Sequence, residues 1–137
     1  MAEQKRPEPG QIGWIDLTVP DAEALRGFYE RVTGWTPSPV SMGDYSDYCM
    51  ISSEGQPVAG ICHARGENAA MPPAWMIYIT VRDLDESLWR AVEGGGKVRV
   101  PVRNMEAGRY AVIEDPAGAV AALFESAGGE ESELLSD

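Results

Sequence analysis

The sequence predicts an α+β fold of two tandem βαβββ modules, whose strands form a curved eight-stranded sheet with the helices outside. Two stretches carry the prediction. "WIDLTVPDAEALRGFYERVTGW", residues 14 to 35, is a strand, a capped helix and a glycine stop, and "MIYITVRDLDESLWRAVEGGG", from residue 76, repeats that grammar. Shifting the chain by 62 residues pairs Ile15 with Ile77, Thr18 with Thr80, Asp21 with Asp83, Gly34 with Gly96 and Tyr48 with Tyr110. In all, eleven identities fall within residues 14 to 62, against roughly three or four expected from composition. The kinds of element align as well, which chance matches would not do.

Each element has a local cause. Ile15, Leu17 and Val19 alternate with Asp16 and Thr18, as in a half-buried strand. Asp21 caps a helix on which Leu25, Phe28, Tyr29 and Val32 recur at helical spacing, and Gly34 ends it. In the second copy Asp83 is followed three residues later by Glu86, the pattern of a capping box. Three short strands follow each helix, near 38–42, 47–52 and 56–63 and near 97–102, 109–114 and 118–125. Their turns are "MGDYS", "SSEGQ", "NMEAG" and "EDPAG". The modules are expected at about 11–64 and 73–126, between a disordered arm over 1–10 and an acidic disordered tail over 127–137.

Composition narrows the class of function. The chain has 137 residues, is 44% hydrophobic and 24% charged, and carries a net charge of −11. That charge argues against nucleic acid, whose binding needs clustered Lys and Arg. No apolar run approaches the ~20 residues of a membrane span, and the N-terminus lacks the apolar core of a signal peptide. Cys49 and Cys62 are too few for a disulfide framework, and the expectation is a cytoplasmic protein. There is no phosphate-binding glycine loop, serine elbow or Cys-x-x-Cys pair.

The phrases "FYERVTGW", "GQPVAGI", "YITVRDLDES" and "GRYAVIEDPAGA" occur in an order that resembles the vicinal oxygen chelate superfamily. That superfamily contains glyoxalase I, extradiol dioxygenases and bleomycin-resistance proteins, and the likeness spans residues 11 to 126. The resemblance implies a divalent metal held at four equivalent strand positions, which fall here on Trp14, Gly60, Met76 and Ala122. None of these suits a hard or borderline divalent ion, which takes imidazole, carboxylate or thiolate donors. The expectation is therefore no metal and no other cofactor. His63, the only histidine, points by strand parity to the sheet face opposite Gly60.

Alternation from those positions places Trp14, Asp16 and Thr18, then Gly60 and Cys62, on one face. Met76, Tyr78, Thr80, Ala122 and Phe124 do the same in the second module. Tyr48 and Tyr110 complete the expected ligand-binding set. This lining is aromatic and apolar with a few polar groups, either a small-molecule pocket or simply the filling of a half-open sheet. Asp16 stands out, because an acid on such a face must be solvated, paired or used. Cys62 reads as a core thiol, since no group to activate it is evident. The expectation is a homodimeric protein that sequesters an aromatic or cationic metabolite or antibiotic. The alternative is a metal-independent enzyme with Asp16 and Tyr78 as acid and base, and a metal-dependent glyoxalase or dioxygenase ranks below both.

Overall fold

The computed structural model describes residues 7–66 and 69–127. The expected arm and tail lie mostly outside these residues. Eight strands and two helices run in the order β1 (Ile12–Val19), α1 (Ala22–Thr33), β2 (Thr36–Ser41), β3 (Ser46–Ile51), β4 (Pro57–His63), β5 (Trp75–Thr80), α2 (Leu84–Glu93), β6 (Lys97–Met105), β7 (Gly108–Glu114) and β8 (Val120–Ser126). The chain divides into two compact units. One is Trp14–Met76, and the other is Ile77 onward together with the residues up to Gly13. Among the described residues no helix is long and apolar enough to cross a membrane.

In the first unit the strand order is β2-β3-β4-β1, with β1 parallel to β4 and the other pairs antiparallel. The Asp21 carboxylate accepts the Ala24 N–H at 3.1 Å and opens α1. Gly34 closes it in the left-handed region at φ 83°, donating its N–H to Glu30 O at 3.0 Å. Beneath α1 lies a core of Leu17, Val19, Ala22, Met50 and Ile61, packed against by Leu25, Tyr29, Trp35, Tyr48 and Trp75. Trp75 meets Tyr29 edge-on at 5.3 Å and donates its indole N–H to the Tyr29 hydroxyl. Phe28 and Val32, which share the helical spacing of the core residues, are instead exposed.

The second unit has the order β5-β8-β7-β6. Its core is Leu84, Ala111 and Leu123, with Ile79, Val81, Leu88, Val102 and Ile113 around them. Asp83 caps α2 by accepting the Glu86 N–H at 3.1 Å. The Glu86 side chain does not complete a capping box, because it pairs with Arg90 one turn on. Glu125 supplies a further cap, accepting the Leu84 N–H at 2.8 Å while also pairing with Arg109 at 2.7 Å. Arg109 therefore belongs to the helix side and reaches Asp85 as well. Trp89, on the outer side of α2, is exposed.

The two units match at an offset of 62 only in part. Asp16 lies opposite Gly60 and Tyr78 opposite Ala122, which keeps that offset. On the other side, however, Gly60 faces Cys49 whereas Ala122 faces Val112, an offset of 63. The reason is a β-bulge in the β3–β4 pair. Met50 lies opposite Ala59 but Ile51 opposite Pro57, so Val58 is the extra residue. A one-residue slip turns a strand over, because side chains alternate between faces.

Candidate functional site

The face of each sheet away from its helix carries the candidate residues. Leu17, Val19 and Ile61 point under α1, so Trp14, Asp16, Thr18, Gly60 and Cys62 occupy the opposite face of the first unit. The Trp14 Nε1–H is donated to Asp16 Oδ1 at 2.6 Å. Gly60 makes this possible. A Cβ there would collide with Asp16 Oδ1 and lie 3.4 Å from Trp14 Nε1. The carboxylate of Asp16 thus occupies the space that a side chain at position 60 would take.

Register brings two further groups to this face. Cys49 lies directly opposite Gly60 on β3, and the Asp47 carboxylate stands near the Cys62 thiol. Asp47 Oδ1 also accepts the His63 backbone N–H at 2.9 Å and lies 3.3 Å from the His63 ring Nδ1. Burial, then the charges of Asp16 and Asp47, push the Cys62 thiol far above its ordinary range. Burial and Asp16 raise Cys49 in the same direction. Both thiols are held protonated and are poor nucleophiles, as a core thiol should be.

Tyr48 does not join this face. Its cross-strand partner is Ile61, it packs on the core under α1, and the Arg26 guanidinium lies 5.0 Å above its ring. The bulge at Val58 is the physical cause, since without it Tyr48 would stand opposite Gly60. Cys49 and Asp47 take the place expected of it. The bulge leaves no mark in composition, so a uniform offset could not find them. His63 lies with Tyr45 and Tyr48, at ring distances of 5.4 and 6.5 Å, on the face its parity predicts.

In the second unit Tyr78, Ala122, Thr80 and Phe124 lie together on the helix-distal face, with Tyr78 opposite Ala122 and Thr80 opposite Phe124. Tyr110 joins them opposite Phe124, its ring 6.2 Å from that of Tyr78. Ala122 is buried, as are Met76 and Thr18 in the first unit. A cavity of about 470 Å³ opens beside Thr80 and Phe124. Its other walls include Pro7, Glu106, Ser126 and Ala127.

The residues at the positions expected to hold metal do not fit one. The Trp14 indole is a donor already engaged by Asp16, Gly60 and Ala122 offer no donor atom, and Met76 offers only a soft thioether. Among the described residues, no three His, Cys, Asp or Glu side chains are grouped so that they could hold an ion.

A family model described as the Glyoxalase/Bleomycin resistance protein/Dioxygenase superfamily matches residues 11–123. Among curated proteins, "Putative glyoxylase CFP32" of Mycobacterium tuberculosis is 37% identical over 123 residues, covering 85% of this chain and 46% of that protein. "Anthracycline biosynthesis protein DnrV" of Streptomyces peucetius is 33% identical over 129 residues, covering 85% and 47%. The chain thus spans about half the length of the curated relatives it matches. Among solved structures, a methylmalonyl-CoA epimerase from Mycobacterium tuberculosis superposes with a TM-score of 0.55 at 16% identity, covering 86% of this chain and 89% of the other. A Vibrio splendidus member of the same superfamily gives 0.56 at 10% identity, covering 82% and 97%. At such identities these two likenesses concern the fold alone.

Proposed function

The chain belongs to the Glyoxalase/Bleomycin resistance protein/Dioxygenase superfamily, and from that premise we propose that it is a metal-independent small-molecule-binding protein. It sequesters an aromatic or cationic metabolite or antibiotic. The observation that carries the reading is the Trp14–Asp16 pair seated over Gly60, with a carboxylate and an indole where the family's metal donors would stand. A carboxylate fixed beside an aromatic ring suits a ligand with a flat apolar body and a cationic or hydroxyl group. The aromatic cluster of Tyr78, Tyr110 and Phe124 offers stacking surface of the same kind. One relative is named for anthracycline biosynthesis, and an anthracycline, a flat aromatic system bearing an amino sugar, is a ligand of this class.

Binding is favoured over catalysis because the groups near Asp16 are not poised for chemistry. The Cys49 and Cys62 thiols are held protonated, and Asp16 Oδ1 already accepts a hydrogen bond. The protein would act in the cytoplasm as a homodimer. Titration with daunorubicin, followed by mass spectrometry of the recovered ligand, tests the reading. Saturable binding with the ligand returned unchanged supports it. A transformed product favours instead the metal-independent enzyme with Asp16 and Tyr78 as acid and base. If neither daunorubicin nor any small molecule co-purifying from the native host binds, the reading fails.

A further inference from the structure

The cavity of about 470 Å³ in the second unit is built by three separate pieces of chain. Residues 7 to 11 form a strap along one wall. Within it the Gln11 N–H is donated to Glu8 O at 2.9 Å and the Glu8 N–H to Gln11 Oε1 at 2.8 Å. The strap is fastened at Thr80, whose N–H is donated to Gln11 O at 2.9 Å and whose carbonyl accepts the Gly10 N–H at 2.7 Å. Gly13 lets it lie close, because a Cβ there would come within 2.8 Å of Pro7 Cγ. The second piece is the β6–β7 turn bearing Glu106, closed by the Ala127 N–H donated to Ala107 O at 2.8 Å. The third is the end of β8. Phe124 presents its ring there, and that ring packs so closely on the turn that a Cβ at Gly108 would lie 3.0 Å from Cζ.

Among the described residues, the lining has one sign of charge. Glu106 is exposed, it is the only ionisable side chain among the described lining residues, and it makes no ion pair with any described residue. Pro7 and Phe124 are apolar, while Thr80 and Ser126 add hydroxyls. The volume falls within the range of ordinary small-molecule pockets. An anion would meet a carboxylate with no compensating cation among the described lining residues, and a neutral apolar body would leave Glu106 unused. A cation over the Phe124 ring gains from the ring's quadrupole and from Glu106 together.

We propose that this cavity is a binding site for an organic monocation with an apolar body, of the aryl- or alkylammonium kind. Phe124 and Pro7 hold the body, Glu106 faces the charge, and Gly13 acts as a positioning residue by letting the strap close the wall. The proposal rests on the ligand-binding function proposed above for the kind of ligand, and adds a second cation-binding place distinct from Asp16.

The test uses the full chain, labelled with ¹⁵N, titrated at low salt with benzyltrimethylammonium, benzyl alcohol and benzoate. Benzyltrimethylammonium should bind saturably and shift the amides of Thr80, Phe124 and Ala127, with benzyl alcohol weaker and benzoate inert. Glu106→Gln, an exposed substitution, should weaken the cation at least fivefold and leave benzyl alcohol unaffected. Gly13→Ala should weaken both, because it drives Pro7 outward. The proposal is overturned if benzoate binds as well as the cation, if Glu106→Gln changes nothing, or if no probe saturates at millimolar concentration. If daunorubicin still binds and shifts Trp14 and Asp16 while the cavity probes fail, the cavity assignment falls and the proposed function stands.

Discussion

Trp14 and Asp16, two residues apart on one strand face, are joined by an indole-to-carboxylate hydrogen bond of 2.6 Å. A carboxylate held in this way is fixed in orientation before any ligand arrives, which lowers the ordering cost of binding. Asp16→Asn keeps the shape and removes the charge. It should weaken a cationic ligand by about 1.5–3 kcal/mol, or about ten- to a hundredfold. Trp14→Ala should also weaken binding, through lost stacking area and without altering the salt dependence. Calorimetric titration of both variants against daunorubicin checks this. If Asp16→Asn binds as well as the parent but unfolds more easily, Asp16 is structural and the assignment is wrong.

Gly60→Ala should be destabilising although it adds only a methyl group. The new Cβ overlaps Asp16 Oδ1, so the carboxylate must move and release Trp14. The cost should be about 1–3 kcal/mol, typical of an overpacked site. Combining it with Asp16→Ala should recover part of the loss, since the two substitutions share one clash. Urea midpoints of the single and double variants measure the coupling, and strict additivity would contradict the geometry.

Cys62 sets an alkaline limit on stability. Burial and neighbouring carboxylates raise its folded-state pKa well above the ordinary value near 9. The folded protein therefore keeps a proton that the unfolded chain releases above about pH 9. Stability is complete below that pH and should decline above it, by up to about 1.4 kcal/mol per pH unit. Cys62→Ala should flatten this slope. Asp16→Asn should lower both thiol pKa values and speed their reaction with a disulfide reagent at pH 8, though burial keeps Cys62 the slower to react.

Metal loading gives an independent check on the donor chemistry. After dialysis against zinc, nickel or manganese and then buffer, elemental analysis should find well below one ion per chain. A ratio near one that disappears with Asp16→Asn or a Cys49→Ala/Cys62→Ala double substitution would show that a different donor set has assembled.

A homodimer is expected from sedimentation at tens of micromolar, a range in which weak interfaces form. The outer strands contribute little to it, because β2 carries Pro37 and Pro39 and β6 carries Pro101, which discourage strand addition. Exposed helix side chains offer apolar surface instead: Phe28 and Val32 on α1, Trp89 and Val92 on α2. Trp89→Lys should shift the equilibrium towards monomer if α2 takes part. A purely monomeric parent would exclude the assembly.

What could be read from the sequence was whatever follows from local periodicity. Asp21 and Asp83 cap their helices, and Gly34 ends α1. Asp16 and Gly60, on the neighbouring strands β1 and β4, share one face because alternation alone decides it. Three things escaped. Helical spacing does not say how wide a stripe the sheet covers, so Phe28 and Val32 share the spacing of Leu25 and Tyr29 yet are exposed. A capping-box pattern does not reveal a rival, so Glu86 turned to Arg90 unnoticed. The strap across the cavity depends on a contact between Pro7 and Gly13 and on the pairing with Thr80, neither of which leaves a periodic trace.

The bulge at Val58 has a consequence for how such a chain can change. Around Gly60 stand Asp16 and Cys49, with Asp47 close by, whereas around Ala122 stand Tyr78 and Val112, with Tyr110 close by. One half offers acids and thiols where the other offers rings. The difference in the third strands follows from inverting a strand, and needs no rewriting residue by residue. A single inserted or deleted codon near a hairpin exchanges every inward side chain of one strand for its outward neighbours. For this architecture, length variation in the hairpins is therefore a faster route to a new binding surface than point substitution. Libraries that vary hairpin length by one residue should sample chemically distinct surfaces that amino-acid randomisation at fixed length reaches only through many simultaneous changes.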